Sequence, residues 1–136
     1  MHPLRKLREA GSATPAQVSE LLADDVVFNS PILARSIGGR DTIAAIFAQS
    51  SSTRGSGAYT AEYKLDDRTT FLRWEGTMDG HKIESFEVII DDEEGLIKER
   101  TIALRPFPAV KLFRDAMYAS LKDKLPEDVW DYPSAA

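Results

Sequence analysis

The sequence predicts one α+β domain in which a curved antiparallel sheet is covered by helices. Four strand-like segments follow one another between residues 59 and 104, and two of their joints are tight-turn sequences, Asp79-Gly80 and Glu93-Glu94-Gly95. The helical segments lie before and after this block rather than between its strands. Strands joined by tight turns pair antiparallel, and segregated helices cover one face of the sheet. A length of 136 residues fits a single domain.

Two helices are predicted before the first strand. Leu4 and Leu7 indicate a short helix that Gly11 ends. A second helix begins at Thr14-Pro15-Ala16-Gln17, where threonine caps the helix, proline fits its first turn and glutamine completes a capping box. Its apolar face continues at helical spacing through Val18, Leu21 and Leu22.

A short strand and a third helix come next. Val26-Val27-Phe28 predicts a strand that Pro31 ends. Gly38-Gly39 breaks the regular structure, and Asp41 favours the first turn of a helix with an apolar face of Ile43, Ile46 and Phe47. We expect a loop rich in Ser and Gly from Ser50 to Gly57.

The sheet and a closing helix complete the predicted domain. The four strands are Tyr59 to Leu65, Thr69 to Met78, His81 to Ile90 and Leu96 to Leu104. Pro106 and Pro108 open the last helix, about residues 107–124, with an apolar stripe of Val110, Phe113, Met117 and Leu121. The core of the domain is expected at about residues 14–105.

The two tight turns predict which residues lie opposite each other, because hairpin geometry fixes strand register. The predicted pairs are Met78–His81, Trp74–Ser85, Leu72–Glu87, Glu87–Arg100 and Ser85–Ile102. Strand alternation places all of them on the more apolar face, which we assign to the concave side under the helices. Tyr59 and Tyr63 are expected to share one face of their strand.

The predicted Glu87–Arg100 pair is the candidate site. A carboxylate beside a guanidinium stays ionised. The pair could bind a polar ligand, or Glu87 could act as a weak base once a substrate disrupts the pair. The alternative is a structural ion pair that satisfies two partly buried charges.

Composition excludes several function classes. The net charge of −5 disfavours a nucleic-acid binder, and the absence of cysteine excludes disulfides and thiolate chemistry. No secretory signal or membrane-length apolar run occurs, so we expect a cytoplasmic protein that binds neither membranes nor nucleic acid. No metal site is expected, because His2 and His81 are distant and are expected in solvent, as is the hairpin tip Asp91-Asp92-Glu93-Glu94.

Two stretches resemble the SnoaL-like and ketosteroid-isomerase-like domains of the nuclear transport factor 2-like superfamily. They are LADDVVFNSP at residues 22–31, followed by IGGRDTIAAIF at residues 37–47. The segment from Val88 to Ile97 also resembles the final hairpin of the family. The resemblance implies a cone-shaped, cystatin-like sheet with a small-molecule pocket in its mouth, usually in a homodimer, and an activity without a cofactor.

The family's catalytic positions are only partly occupied in this sequence. In ketosteroid isomerases the general-base aspartate would stand at Ser30, and the oxyanion tyrosine would fall near Lys6. The acid that pairs with that tyrosine aligns with Glu87. The epoxide-hydrolase pattern is matched in part by Arg73-Trp74-Glu75 and Phe28-Asn29, but Thr101 stands where its last aspartate is expected. Both of these family reactions are therefore disfavoured.

Two hypotheses follow for function. In the first, the protein is an isomerase, cyclase or hydrolase that acts by acid/base catalysis on a small hydrophobic substrate. Glu87 would be its acid/base group and Arg100 would hold an anion or carbonyl. The expected substrate-binding residues are Asn29, Ser30, Trp74, Ser85 and Ile102. The alternative for Asn29 and Ser30 is a turn before Pro31, and the alternative for Trp74 is a place in the core.

In the second hypothesis, the same scaffold binds a ligand or a partner without catalysis. An enclosed cavity with Glu87 at its floor favours the enzyme, and a filled cone favours the binder.

Overall fold

Six strands form one curved sheet in the computed structural model, which describes residues 1–11 and 13–132. The strands lie in the order β2-β1-β6-β5-β4-β3 across the sheet. In chain order the elements are α1 (Pro3–Glu9), α2 (Pro15–Ser19), β1 (Leu22–Asn29), β2 (Ile37–Gly38), α3 (Arg40–Thr53), β3 (Gly57–Asp66), β4 (Thr69–Met78), β5 (His81–Asp91), β6 (Ile97–Arg105), α4 (Phe107–Leu121) and a 3₁₀ turn (Glu127–Val129). The predicted α+β class with a curved sheet and a carboxyl-terminal helix is confirmed.

The sheet is mixed rather than wholly antiparallel. The meander from β3 to β6 is antiparallel throughout, as tight turns require. However, β1 runs parallel to β6, with Phe28 opposite Arg100 and Asn29 opposite Thr101. No hairpin joins these two strands, so nothing in the local sequence constrains their relative direction. This parallel pairing brings the end of β1 beside the candidate site.

Three predicted boundaries differ from the structure for identifiable reasons. Helix α2 ends at Ser19, because the Leu21 carbonyl accepts a hydrogen bond from the Ile97 amide at 2.8 Å and draws the following residues into β1. Helix α3 continues to Thr53 through the predicted loop. Its serine hydroxyls are accommodated on the helix backbone, since Ser51 Oγ donates to the Phe47 carbonyl at 3.1 Å. Helix α4 ends at Leu121 and continues as turns.

His2 is buried rather than solvated, contrary to expectation. Its side chain caps α1, with Nδ1 accepting a hydrogen bond from the Leu4 amide at 3.1 Å. Its Nε2 lies 3.1 Å from both carboxylate oxygens of Asp91. The tip of the β5–β6 hairpin is therefore solvated only beyond Asp91, whereas His81 is exposed as predicted.

The concave face of the sheet forms the core together with α3 and α4. Leu72, Trp74, Ile83 and Ile89 point to this side and are buried, as the alternation predicted. The helices add a second set of buried apolar residues: Ile43, Ile46, Phe47, Phe113, Met117 and Leu121. Beyond α4, the carboxyl-terminal segment is also buried through Leu125, Val129 and Trp130. The cone is thus covered by α3 on one side and by α4 with its following segment on the other.

Candidate functional site

Glu87 and Arg100 meet inside the cone through a diagonal contact between β5 and β6. Glu87 lies opposite Ile102, and Arg100 lies opposite Ile89, so the predicted direct pairing is wrong by two residues. The wider turn, in which the Asp92 amide donates to the Leu96 carbonyl, contributes one residue of this shift, and a register irregularity between Ile90 and Asp91 contributes the other. A two-residue shift keeps every side chain on its face. The Glu87 Oε2 atom therefore still contacts Arg100, at 2.8 Å from Nε and 2.5 Å from Nη2.

The pair is buried, with both side chains only 2% exposed. Burial lowers the pKa of Arg100, and the adjacent Glu87 carboxylate opposes that shift. The guanidinium lies over the ring of Phe47 at 4.4 Å from its centroid and near Phe28 at 5.9 Å. Glu87 Oε1 is buried and has no hydrogen-bond partner within residues 1–11 and 13–132. One carboxylate oxygen thus holds Arg100 while the other stays free.

A narrow cavity lies between the sheet and α4, and Arg100 forms part of its wall. About 30 Å³ of it is open to the centre of a water molecule, which is room for roughly two waters. Its apolar walls come from β1, α3, β6, α4 and the segment after α4: Phe28, Ile46, Phe47, Ile102, Leu104, Phe113, Met117, Leu121, Leu125 and Trp130. Ser30, Ser50 and Arg54 add polar groups to this wall. The cone is therefore nearly filled, and its small remaining space is apolar with a few donors.

The predicted site residues divide into two groups. Arg100, Ser30 and Ile102 line the cavity, and Glu87 lies behind Arg100 rather than on the wall. Ser30 also serves the turn, because its Oγ accepts a hydrogen bond from the Ile32 amide at 3.2 Å. The remaining three, Asn29, Trp74 and Ser85, do not line this cavity.

Asn29 ties neighbouring strands together instead of facing a ligand. Its amide nitrogen donates to Thr101 Oγ1 at 2.9 Å and to Glu99 Oε1 at 3.3 Å, and its Oδ1 accepts from Ser36 Oγ at 2.5 Å. All hydrogen-bonding atoms of its side chain are thus used inside the protein. Trp74 lines a separate surface groove with Arg54 and Tyr59, and Ser85 is buried in the sheet.

Sequence reasoning did not identify several groups at the cavity, namely Ser50, Arg54 and Trp130. Trp130 Nε1 and Arg54 Nε are both buried without a hydrogen-bond partner in the described part of the chain. The apolar spacing of Leu125, Val129 and Trp130 after α4 is a signal that would have predicted a covering segment, although no such prediction was made. Arg54 carried no such signal, because it lies in a Ser- and Gly-rich stretch that resembles an ordinary loop.

No group of three or more His, Asp or Glu side chains in the described ranges is arranged to hold a metal ion. No helix there is long and apolar enough to span a bilayer.

The burial of the pair predicts strong coupling between its two members. We expect the single variants Glu87→Met and Arg100→Met each to lower the free energy of unfolding by about 3–5 kcal/mol, because each leaves one buried charge uncompensated. The double variant removes both charges, and its loss should be well below the sum of the two single losses. Urea unfolding of the four proteins measures this cycle. Additive losses would show that the two charges do not depend on each other.

No protein-family model matches the sequence, and no curated protein is significantly similar to it, but several solved structures share its fold. An uncharacterised protein with a cystatin-like fold from Silicibacter pomeroyi DSS-3 is 25% identical, with a TM-score of 0.82, over 91% of this chain and 89% of that one. A steroid delta-isomerase from Pseudomonas aeruginosa is 19% identical, with a TM-score of 0.79, over 87% and 85%. An NTF2-like protein of unknown function from Cytophaga hutchinsonii ATCC 33406 is 12% identical, with a TM-score of 0.60, over 77% and 86%. The chain therefore has the cystatin-like fold of these solved structures, as the resemblance of its sequence implies.

Proposed function

We propose that the protein binds a small, largely apolar molecule by widening the narrow cavity between the sheet and α4, and that Arg100 donates hydrogen bonds to an oxygen of that molecule. The observation that carries the proposal is a buried guanidinium on the wall of an otherwise apolar cavity. Pockets of this kind take their affinity from apolar contact and their specificity from a few placed polar groups. Glu87 then has a positioning role, because it fixes Arg100 from behind.

The polar groups at the cavity favour a ligand that accepts hydrogen bonds. Glu87 contacts Nε and Nη2 of Arg100, so Nη1 is the terminal nitrogen that this carboxylate does not engage. Trp130 also lines the cavity, and its buried Nε1–H has no partner in the described part of the chain. Donors without acceptors are matched by a carboxylate, carbonyl or enolate oxygen. The ligand is therefore an apolar molecule with a carboxylate or carbonyl group.

A second candidate function is proton transfer on such a ligand, with Glu87 as the base. The observation that favours it is Glu87 Oε1, a buried carboxylate oxygen without a hydrogen-bond partner within the described ranges. An oxygen of this kind is able to accept a proton from carbon when the ligand approaches it. Because Glu87 lies behind Arg100, this reaction requires the guanidinium to turn toward the ligand oxygen and expose the carboxylate.

We further propose that two copies of the chain pair through the outer face of β3, β4 and β5. The charged residues of that face pair with one another, since Glu84 binds both Arg73, at 2.8 Å, and Arg105. This leaves an aromatic row in which the Phe71 ring lies 6.3 Å from Tyr63 and 6.5 Å from Phe86. Exposed aromatic rows on a sheet are suited to an interface. The aromatic row would give the proposed interface an apolar centre.

Benzoate and toluene test the cavity, because the two molecules share a ring and only benzoate carries oxygens. We expect toluene to bind weakly and benzoate to bind more tightly, with amide shifts at cavity residues in two-dimensional NMR. In the Glu87→Met/Arg100→Met variant toluene binding should remain and the preference for benzoate should disappear. A loss of roughly tenfold or more in benzoate affinity is expected for losing a charge-assisted pair of hydrogen bonds. Equal benzoate affinity in both proteins would overturn the role of Arg100.

Exchange of carbon-bound protons tests the second candidate. Phenylacetone carries acidic protons beside its carbonyl, and a base in the site should accelerate their replacement by deuterium in D₂O. We expect the native protein to accelerate this exchange and Glu87→Asp to accelerate it far less, since the shorter side chain keeps its charge but withdraws from the ligand. Proton NMR follows the signal, and a thermal melt checks that the variant is folded. Exchange at the buffer rate with the native protein would reject this candidate and leave the binding function.

Sedimentation velocity tests the pairing of two copies. We expect the native protein to sediment with twice the 15.1 kDa mass of one chain. Tyr63 is 63% exposed on the aromatic row, so Tyr63→Glu should leave the fold intact and yield a monomer by placing charge in the interface. Tyr132 is 82% exposed outside this row, and Tyr132→Glu is the matched control that should remain a dimer. A native monomer at high concentration, or a dimer that Tyr63→Glu leaves unchanged, would contradict the proposal.

A further inference from the structure

We infer that a surface groove between α1 and the start of β3 is a second binding site, for a carboxylate or phosphate group of a small molecule. The groove is lined by Arg8, Ser51, Arg54, Tyr59 and Trp74. It is distinct from the cavity, although Arg54 borders both. The inference does not depend on what the cavity binds.

The distribution of ion pairs over the arginines is the first argument. The chain has ten arginines. Eight of them pair with a carboxylate in the described ranges: Arg5, Arg35, Arg40, Arg68, Arg73, Arg100, Arg105 and Arg114. The other two, Arg8 and Arg54, form no such pair there, and both line this groove. In a chain with a net charge of −5, two guanidiniums without carboxylates at one place indicate an external anion.

Within residues 1–11 and 13–132, the Arg8 side chain hydrogen-bonds only to hydroxyl groups. Its Nε donates to Ser51 Oγ at 3.1 Å, and its terminal nitrogens approach Ser50 Oγ at 3.4 Å and Tyr59 OH at 3.5 Å. These neutral oxygens orient the guanidinium without neutralising it. The last two contacts are long for hydrogen bonds, so a ligand oxygen at normal distance would be the better acceptor.

Arg54 is held in place at the other wall of the groove. Its guanidinium lies over the ring of Trp74, 4.3 Å from the centroid. That ring is only 7% exposed and packs directly against Gly57 and Gly76, where a larger residue would collide with it. A Cβ atom added at Gly57 would lie 2.6 Å from Trp74 Cε2, and one at Gly76 would lie 2.7 Å from the Ser56 carbonyl. Stacking satisfies the face of the guanidinium but none of its N–H groups, and Nε is buried without a partner in the described part of the chain.

The carboxylates nearest to the groove are already engaged. Glu9 lines the groove, but its carboxylate accepts from Arg5 Nε at 2.9 Å. Glu87 binds Arg100 on the inner side of the sheet. Burial raises the pKa of Tyr59, so its phenol stays neutral, and its O–H can donate while its oxygen accepts from Arg8. Two guanidiniums and one phenol therefore present donors to the same space.

The size of the groove determines the class of ligand. About 150 Å³ is open to the centre of a water molecule, several times the volume of the interior cavity. A single ion would leave much of this space to water. The flat wall of Trp74 and the small residues Gly57 and Ala58 suit the body of a small organic acid or phosphate ester.

Titration with sodium phosphate and with sodium acetate, at constant ionic strength in sodium chloride, tests the site on the whole protein. We expect saturable shifts of the Gly55, Gly57 and Ala58 amides and of the Arg54 Nε–Hε signal, with a dissociation constant on the order of 1 mM for at least one of the two anions. Arg8→Gln and Arg54→Gln should each weaken that binding about tenfold or more, because each removes charge-assisted hydrogen bonds. The anion that binds more tightly identifies the ligand as a phosphate ester or as a carboxylic acid.

Arg35→Gln is the matched control, since Arg35 pairs with Asp128 on the surface outside the groove and the variant should bind like the native protein. Tyr59→Phe removes the phenol donor without changing charge and should weaken binding by a smaller factor. Shifts that do not saturate, or saturable binding that Arg8→Gln and Arg54→Gln leave unchanged, would overturn the proposal. The benzoate and toluene measurements respond to a different pair of residues, so failure here leaves the proposed function of the cavity standing.

Discussion

A guanidinium that is 2% exposed must have its charge compensated inside the protein, and this requirement shapes the centre of the cone. Removing such a charge from water costs several kcal/mol even after relaxation. Arg100 recovers this through one oxygen of Glu87 and through the faces of Phe47 and Phe28. The compensation is assembled from β5, β6, α3 and β1, so the pair forms only when all four elements are in place. Formation of the ion pair therefore requires the correct fold, and the same pair supplies charged groups to the candidate site.

The packing around the pair determines what the site can do. Because β1 lies parallel to β6, Phe28 sits opposite Arg100 and closes one side of the cavity. Helix α4 closes the other side with Phe113 and Met117. Little water remains in this space, and electrostatic interactions are stronger where water is excluded. Few water molecules therefore compete with a ligand oxygen for the hydrogen bonds of Arg100. This favours recognition of a single polar atom on an otherwise apolar molecule.

The sequence predicted the register of the first hairpin correctly, whereas the predicted register of the second hairpin is wrong by two residues. At Asp79 and Gly80 both φ angles are positive, 50° and 78°, as the turn type of an Asp-Gly hairpin requires. In the second turn, Asp92 Oδ1 accepts hydrogen bonds from the amides of Glu94 and Leu96 and widens the loop. The Glu87–Arg100 prediction survived because alternation has a period of two, so an even shift preserves the face.

Other errors arose where a contact between distant segments overrides the local pattern. A bulge between Tyr59 and Ala61 in β3 turns Tyr59 toward the groove, whereas Tyr63 pairs with Phe71 on the outer face, so the two tyrosines do not share a side. Asn29 was assigned to a ligand because it ends β1, but its pairing partners on β6 and before β2 were not visible in the local sequence. Hydrogen bonds of this kind depend on tertiary register, which periodicity does not encode.

The two kinds of arginine in the protein differ in what folding itself can satisfy. Arg100 has its carboxylate in the same chain, so its charge is compensated without a ligand and it adds to stability only as one half of a pair. Arg8 and Arg54 lie together without a carboxylate in the described residues, and like charges that share a half-enclosed groove repel each other. Such an arrangement is unfavourable for the free protein and becomes favourable when an anion lies between the two groups. This is the pattern expected where a binding site is maintained at some expense to stability. In this protein the two arginines without carboxylates are therefore stronger evidence for a ligand in the groove than the Glu87–Arg100 pair is for a ligand in the cavity.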